Sequence, residues 1–94
     1  MKLKNKIAVI TGASSDIGTD MSKKFVDEGA TVIMLGRNLK SLEKARTAIK
    51  NKESAITMSC DINDESQVLS VMEQIVDKYG KIDILVNNAA KIND

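Results

Sequence analysis

The sequence predicts an α/β fold in which helices cover a four-stranded parallel sheet. Short apolar runs rich in β-branched residues alternate with segments whose apolar residues recur at helical spacing. The runs are apolar throughout, which is typical of parallel strands buried between helix layers. A turn rich in small residues, Thr11 to Gly18 (TGASSDIG), joins the first run to the first helical segment. Together these features favour a β-α-β-α-β-α-β order.

The apolar runs define four expected strands, at residues 6–11, 31–35, 55–60 and 82–86. Parallel neighbours need crossover connections, and such crossovers are right-handed. The expected product is an open, doubly wound sheet with strand order 3-2-1-4 and three helices, incomplete as a sheet. Its ligand crevice is expected beyond the carboxyl ends of strands 1 and 4, where the strand order switches.

The helical segments show apolar faces and end signals. The first has Ile17, Met21 and Phe25 at helical spacing, with Gly29 just past its expected end. The second is expected over roughly residues 39–51, with an apolar face of Leu42, Ala45 and Ile49. The third starts at Asp64, which forms a capping-box pattern with Gln67, and closes at Gly80. Its expected apolar face consists of Val68, Met72, Ile75, Val76 and Tyr79.

Composition excludes several classes of function. The 94 residues carry 14 basic and 13 acidic side chains, so charge gives no argument for nucleic acid or an anionic membrane as a partner. One cysteine and no histidine leave no intrachain disulfide and no usual zinc site, and no metal is expected. Cys60, at the end of an apolar run, is expected to be a buried, inert thiol. No apolar run reaches membrane-spanning length, and a cytoplasmic location is expected.

The turn after the first strand has the features of a phosphate-binding loop. The N-terminus of a helix offers unpaired N–H groups and partial positive charge, which favour a pyrophosphate. Gly12 suits the tight turn, Gly18 suits close packing of helix and sheet, and Ser14 and Ser15 can add hydroxyl donors. The alternative is a strand-to-helix turn that binds no ligand.

Three further loops are expected at the same crevice. Arg37 follows strand 2 where an acidic residue would favour NAD, and its guanidinium can meet a 2′-phosphate, which favours NADP. After strand 3, Asp61 and the backbone of Ile62 can serve adenine, or Asp61 can bond backbone amides of its own turn. After strand 4, Asn87 and Asn88 can tie neighbouring loops together or contact a ribose.

These motifs, in this order, resemble the N-terminal half of the short-chain dehydrogenase/reductase family, and in particular its 3-oxoacyl-reductase-like members. TGASSDIG at 11–18 is similar to the family's TGxxxGxG, Asp61 to its adenine-contacting Asp, and NNAA at 87–90 to its NNAG. The segment KIDILVNNA, residues 81–89, is especially family-like. The resemblance covers essentially the whole chain.

The resemblance implies a Rossmann fold and hydride exchange between NAD(P)(H) and a small-molecule carbonyl or alcohol substrate, in a parent protein expected to be a homo-oligomer. Residues 1–94 would form the N-terminal dinucleotide-binding half of a single domain. Five positions are implied at the pyrophosphate, namely Gly12, Ser14, Ser15, Ile17 and Gly18. Arg37 is implied beside the ribose phosphate. Asp61 and Ile62 are implied at the adenine, and Asn88 and Ala89 beside the ribose. Asn87 is expected to stabilise the sheet.

The sequence departs from the family pattern in three ways. Asp16 replaces the middle glycine; it is expected to cap the first helix and to weaken, without abolishing, cofactor binding. Ala90 replaces the last glycine of NNAG. The family's catalytic Ser, Tyr-x-x-x-Lys and Asn follow strand 4, so no catalytic residue is assigned here, and the chain alone is expected to be inactive. Tyr79 is expected in the core.

Three functions therefore stay open at this point. The first is the cofactor-binding part of an oxidoreductase that prefers NADP(H) over NAD(H). The second is a non-catalytic dinucleotide-binding module. The third is a degenerate remnant that binds no ligand.

Overall fold

Four parallel strands form one sheet in the order β3-β2-β1-β4. The structure is a computed structural model that describes residues 1–88. The strands are β1 (Ile7–Thr11), β2 (Thr31–Gly36), β3 (Ala55–Ser59) and β4 (Ile84–Val86). The α-helices are α1 (Asp16–Asp27), α2 (Leu39–Arg46) and α3 (Glu65–Tyr79), and a 3₁₀ turn spans Lys52–Ser54. The predicted fold class and strand order are confirmed.

The core consists of two apolar clusters, one on each face of the sheet. Helices α1 and α2 cover the first cluster, into which they bury Val26 and Leu42. Helix α3 covers the second, into which it buries Val71 and Ile75. All five residues of β1 are buried, because this strand lies between two neighbours and between both helix layers.

Two expected elements, the second helix and the fourth strand, were too long by more than one residue. Helix α2 ends at Arg46, and residues 47–49 continue in 3₁₀-type turns, with bonds from Ala48 N to Ala45 O and from Ile49 N to Arg46 O. Ile49 is nevertheless buried, so the predicted apolar face was correct although its backbone is not α-helical. Strand β4 starts at Ile84 rather than Ile82, because Asp83 N and its carboxylate both bond the backbone of Ile7 there.

Helix α3 begins and ends as predicted, but its buried face differs. Val76 is 45% exposed, whereas Val71, which the pattern did not single out, is buried. Tyr79 packs half-buried against the second cluster, as predicted. Among residues 1–88 no helix combines the length and apolar character that a membrane span requires.

Candidate dinucleotide-binding site

The loops after β1, β2 and β3 converge on one groove at the carboxyl edge of the sheet. Its volume is about 380 Å³. The lining residues are Gly12, Ser14, Gly36, Arg37, Asn38, Cys60, Ile62 and Asn63. The strand order therefore brings together loop residues as far apart in the sequence as Gly12 and Asn63.

Both glycines of the first loop are required by its backbone. Gly12 has φ of +61°, a left-handed conformation that side chains disfavour. A Cβ on Gly18 would lie 2.3 Å from Gly12 O and 2.8 Å from Ala13 Cα. The sequence predicted that Gly18 allows helix–sheet packing; the structure shows instead that it allows the loop to fold onto its own helix.

Ser15, not Asp16, caps α1. Ser15 has extended φ and ψ of −71° and 165°, and its Oγ accepts a hydrogen bond from Gly18 N at 3.0 Å. The same hydroxyl donates to Gly12 O at 2.8 Å. The expected capping role of Asp16 was therefore wrong, because the chain has already entered the helix at that residue. The Ser15 hydroxyl proton is used within the loop, so in this conformation it is not offered to a ligand.

The first two amides of α1 have no hydrogen-bond acceptor within the described residues. Asp16 N and Ile17 N donate no hydrogen bond to any atom of residues 1–88, whereas Gly18 N and Thr19 N are bonded to Ser15. Two unpaired N–H groups at the positive end of a helix dipole suit a pyrophosphate oxygen. The donor set of this chain therefore fits a dinucleotide.

The Asp16 side chain is exposed and lines a second groove, between α1 and α2, of about 630 Å³. Asp20 and Lys44 line the same groove. Within residues 1–88 the Asp16 carboxylate forms no salt bridge. Its negative charge therefore lies beside the free amides, but on the α2 side of the loop and outside the lining of the first groove.

The loop after β2 presents a cation to the first groove. Arg37 is exposed, and its guanidinium forms no ion pair within the described part of the chain. The loop is held by Ser59 Oγ, which donates to Arg37 O at 3.2 Å, and by Asn38, whose Oδ1 caps α2 by accepting from Ser41 N at 3.1 Å. No carboxylate of the described residues lines this groove.

After β3, one carboxylate oxygen of Asp61 bonds a backbone amide of its own turn, which is one of the two roles expected for this residue. Asp61 Oδ1 accepts from Asn63 N at 3.0 Å, and Asp61 N donates to Gln67 Oε1 at 2.9 Å. Ile62 lines the groove as expected. Asn63 also lines it, and the sequence analysis missed this residue. Its only signal was its place two residues after an Asp that can close an Asx turn.

Gln67 does not make the hydrogen bond that the predicted capping box requires. Asp64 Oδ1 accepts from Ser66 N and Gln67 N, but Gln67 bonds Asp61 N rather than the amide of the capping residue. The hydrogen bonds from Ser66 and Gln67 hold the pKa of Asp64 below its usual value. Cys60 is buried, as predicted, and burial, followed by the nearby Asp61 and Asp64 charges, raises its pKa and keeps the thiol protonated.

The two amides after β4 tie this strand to the first loop. Thr11 Oγ1 lies 3.1 Å from Asn87 Oδ1, to which it donates. Asn88 Nδ2 donates to Gly12 O at 3.2 Å and to Ser15 Oγ at 3.1 Å. Of the two roles that the sequence left open, the structure therefore shows the tying of loops. Ala89, expected near the ribose, and Ala90 lie outside the described residues.

Comparison with known proteins agrees with the fold and with the glycine loop. The family model for short chain dehydrogenases matches residues 6–94. A 3-oxoacyl-[acyl-carrier-protein] reductase of Thermotoga maritima is 40% identical over 97 residues, which cover 100% of this chain and 39% of the reductase.

Two solved structures share the fold. An NAD⁺-bound xylitol dehydrogenase superposes with a TM-score of 0.89 at 33% identity, covering 97% of this chain and 35% of that one. A 3-ketoacyl-(acyl-carrier-protein) reductase of Brucella melitensis, complexed with NADH, gives a TM-score of 0.79 at 36% identity, covering 88% and 33%. The chain thus spans little more than a third of the length of these proteins. With its fold, its glycine loop and the match over residues 6–94, the chain belongs to the short-chain dehydrogenase family.

Proposed function

We propose that residues 1–94 are the N-terminal dinucleotide-binding part of an oxidoreductase that transfers hydride between NADP(H) and a small-molecule carbonyl or alcohol. The observation that carries the proposal is the pair of unpaired amides, Asp16 N and Ile17 N, in the glycine loop whose Gly12 and Ser14 line a groove built by three strand-end loops. The relatives described as NAD⁺-bound and complexed with NADH support a nicotinamide cofactor.

The residues proposed to hold the cofactor follow the order of the loops. The pyrophosphate would lie against the backbone of the first loop, the adenine beside Asp61 and Ile62, and the ribose near Asn88 and Ala89. Arg37 would meet the ribose 2′-phosphate. The first loop contributes Gly12, Ser14, Ser15, Asp16, Ile17 and Gly18. When bound, the nicotinamide would supply the hydride, and this part of the chain would bind and orient it.

The preference for NADP(H) rests on charge. A guanidinium is planar and has several donors, so an unpaired Arg37 suits a phosphate dianion. The groove lining has no carboxylate that would favour a free 2′-hydroxyl or repel a 2′-phosphate. Both features point to NADP(H) over NAD(H).

Titration of the chain with NADPH and NADH tests this assignment. We expect tighter binding of NADPH. Arg37→Ala should weaken NADPH binding about tenfold or more and leave NADH nearly unchanged, because a charge-assisted hydrogen bond contributes about 1.5–3 kcal/mol. Lys23→Ala, on the exposed side of α1, is a matched control that removes one positive charge elsewhere. Equal affinity for both nucleotides would refute the role of Arg37, and binding of neither would refute the proposed function.

A further inference from the structure

Alternate residues of β3 bond the segment that runs from the loop after β2 to the end of α2. Because side chains alternate along a strand, Ala55, Thr57 and Ser59 form one row, on the face of the sheet that α2 covers. The Thr57 hydroxyl donates to the Glu43 carboxylate on α2. At the start of the strand, Ala55 O accepts from Arg46 Nε at 2.6 Å. Strand β3 therefore fixes α2 at its middle and at its end.

The third residue of this row, Ser59, holds the loop that precedes α2. Its hydroxyl donates to Arg37 O at 3.2 Å. Gly36, on one side of Arg37, is held by its carbonyl, which accepts from Cys60 N at 2.8 Å. Asn38, on the other side, caps α2. Within residues 1–88, the bond from Ser59 is thus the only hydrogen bond that Arg37 makes.

The position of the Arg37 guanidinium therefore depends on a residue whose backbone has a single hydrogen bond. The side chain is exposed, and the guanidinium forms no ion pair within the described ranges. A long side chain loses rotamer freedom when it binds a phosphate, and a mobile backbone adds to what must be ordered. The Ser59 hydroxyl lowers this entropic cost because it restrains the backbone of Arg37 before the ligand binds.

We propose that Ser59 is a positioning residue for cofactor specificity, which orients Arg37 toward the 2′-phosphate and so raises the preference for NADP(H) over NAD(H). This inference rests on the proposed function, which assigns Arg37 to that phosphate. The preference is a difference between two affinities, and only one of the two nucleotides carries the phosphate. Within the described part of the chain, the groove lining does not include Ser59, so this residue acts through Arg37 rather than on the cofactor.

Titrations with NADPH and NADH test this role in the unmodified chain and in Ser59→Ala. We expect Ser59→Ala to weaken NADPH binding about threefold, the effect of losing one neutral hydrogen bond, and to leave NADH binding unchanged. Ser59→Thr keeps a hydroxyl and should restore most of the NADPH affinity. Ser70→Ala is the matched control, because Ser70 is an exposed serine of α3, on the other face of the sheet, that accepts from Gln74. Both affinities should be unchanged in that variant.

A double variant, Arg37→Ala with Ser59→Ala, separates positioning from a general loss of structure. Once Arg37 is replaced by alanine, Ser59→Ala should change neither affinity, because the group that it positions is gone. A loop that had simply lost its structure would bind NADH more weakly as well. Equal losses for NADPH and NADH in Ser59→Ala, an unchanged NADPH affinity, or a further loss in the double variant would overturn the inference.

The failure of this inference is distinguishable from the failure of the proposed function. If only the inference is wrong, Arg37→Ala still weakens NADPH binding selectively while Ser59→Ala does not. If the unmodified chain binds neither nucleotide, the proposed function is refuted, and the role of Ser59 is refuted with it.

Discussion

Asp16 is the residue that most sets this loop apart from the family pattern. Its position in the first turn of α1 puts a carboxylate next to the two free amides. There its negative charge interacts favourably with the helix dipole and would repel a bound phosphate. Its side chain is exposed and lines the groove toward α2, so water screens the repulsion. Two charges about 7 Å apart in water repel by about 0.6 kcal/mol. The expected penalty is therefore small.

Replacing Asp16 by Asn tests this charge without changing the backbone. Asp16→Asn should bind NADPH about threefold more tightly, as expected from about 0.6 kcal/mol of relieved repulsion. Its unbound form should lose about 0.5 kcal/mol of unfolding free energy, because an anion at a helix N-terminus is stabilising. Asp20→Asn, one turn further along the same groove, should change the affinity less. Calorimetry and urea unfolding measure both effects; tighter binding in Asp20→Asn alone would contradict the assignment.

Gly18 should tolerate no side chain. Gly18→Ala would bring a Cβ to within 2.3 Å of backbone, which can be relieved only by opening the loop. We expect a loss of about 1–3 kcal/mol in unfolding free energy and a strong loss of NADPH binding. Gly80→Ala is the control, because a Cβ there meets no atom within 4 Å and only the positive φ is strained. That variant should lose stability and keep its affinity. Equal affinities in the two variants would show that the loop can adjust.

At the scale of single elements, the ends of β4 are fixed by side chains rather than by burial. Asp83 Oδ2 accepts from Ile7 N at 2.8 Å and lies 3.1 Å from Lys81 Nζ. The hydrogen bond from Ile7 N, followed by the interactions with Lys81 and Lys6, holds the pKa of Asp83 below its usual value. At the other end Asn87 and Asn88 bond β1 and the glycine loop. Polar contacts thus hold both ends of β4 beside β1, in addition to the packing of Ile84 and Val86 against the first cluster.

The lowered pKa of Asp83 predicts a pH dependence of stability. The native state favours the ionised carboxylate, so this contribution is complete above the ordinary carboxyl pKa of about 4 and is lost as pH falls through the lower native pKa. In Asp83→Asn the amide oxygen can still accept from Ile7 N, but the ionisation is gone. Its unfolding free energy should fall less steeply below about pH 4 than that of the unmodified chain. Asp64 titrates in the same window, so Asp64→Asn measures its separate share. Parallel acid unfolding curves would contradict the role of Asp83.

Element types and the ends of α3 followed from local patterns, whereas the end of α2 and the start of β4 did not. The spacing of Leu42, Ala45 and Ile49 correctly indicated a buried face, but the helix ends at Arg46, whose guanidinium donates to Ala55 O and Lys52 O. Those acceptors belong to a later part of the chain, so a local pattern cannot reveal them. The same holds for Val71 and Val76, whose burial depends on where the sheet lies against α3.

At the scale of the whole described structure, β3 and β4 are the outermost strands of the sheet, and apolar side chains of α3 and β4 lie at the surface. Leu69 on α3 and Leu85 on β4 are 63% and 58% exposed. The relatives extend well beyond the matched region, since this chain covers 39% of the Thermotoga reductase and 35% of the xylitol dehydrogenase. No proton donor is assigned among the described residues, and Tyr79 packs half-buried against the second cluster.

The sequence by itself determined the order of elements, the parallel sheet with order 3-2-1-4 and the position of the glycine loop, because periodicity, glycine placement and crossover handedness are local or general rules. Only the tertiary structure decided that Ser15 caps α1, that Asn63 lines the groove and that Asn88 ties the end of β4 to the glycine loop. The assignments of Asn63 and Asn88 depend on atoms brought together from distant strands, and that of Ser15 depends on the residue at which the loop becomes helical. No spacing in the sequence encodes which of several hydroxyls, amides and carboxylates will find a partner there.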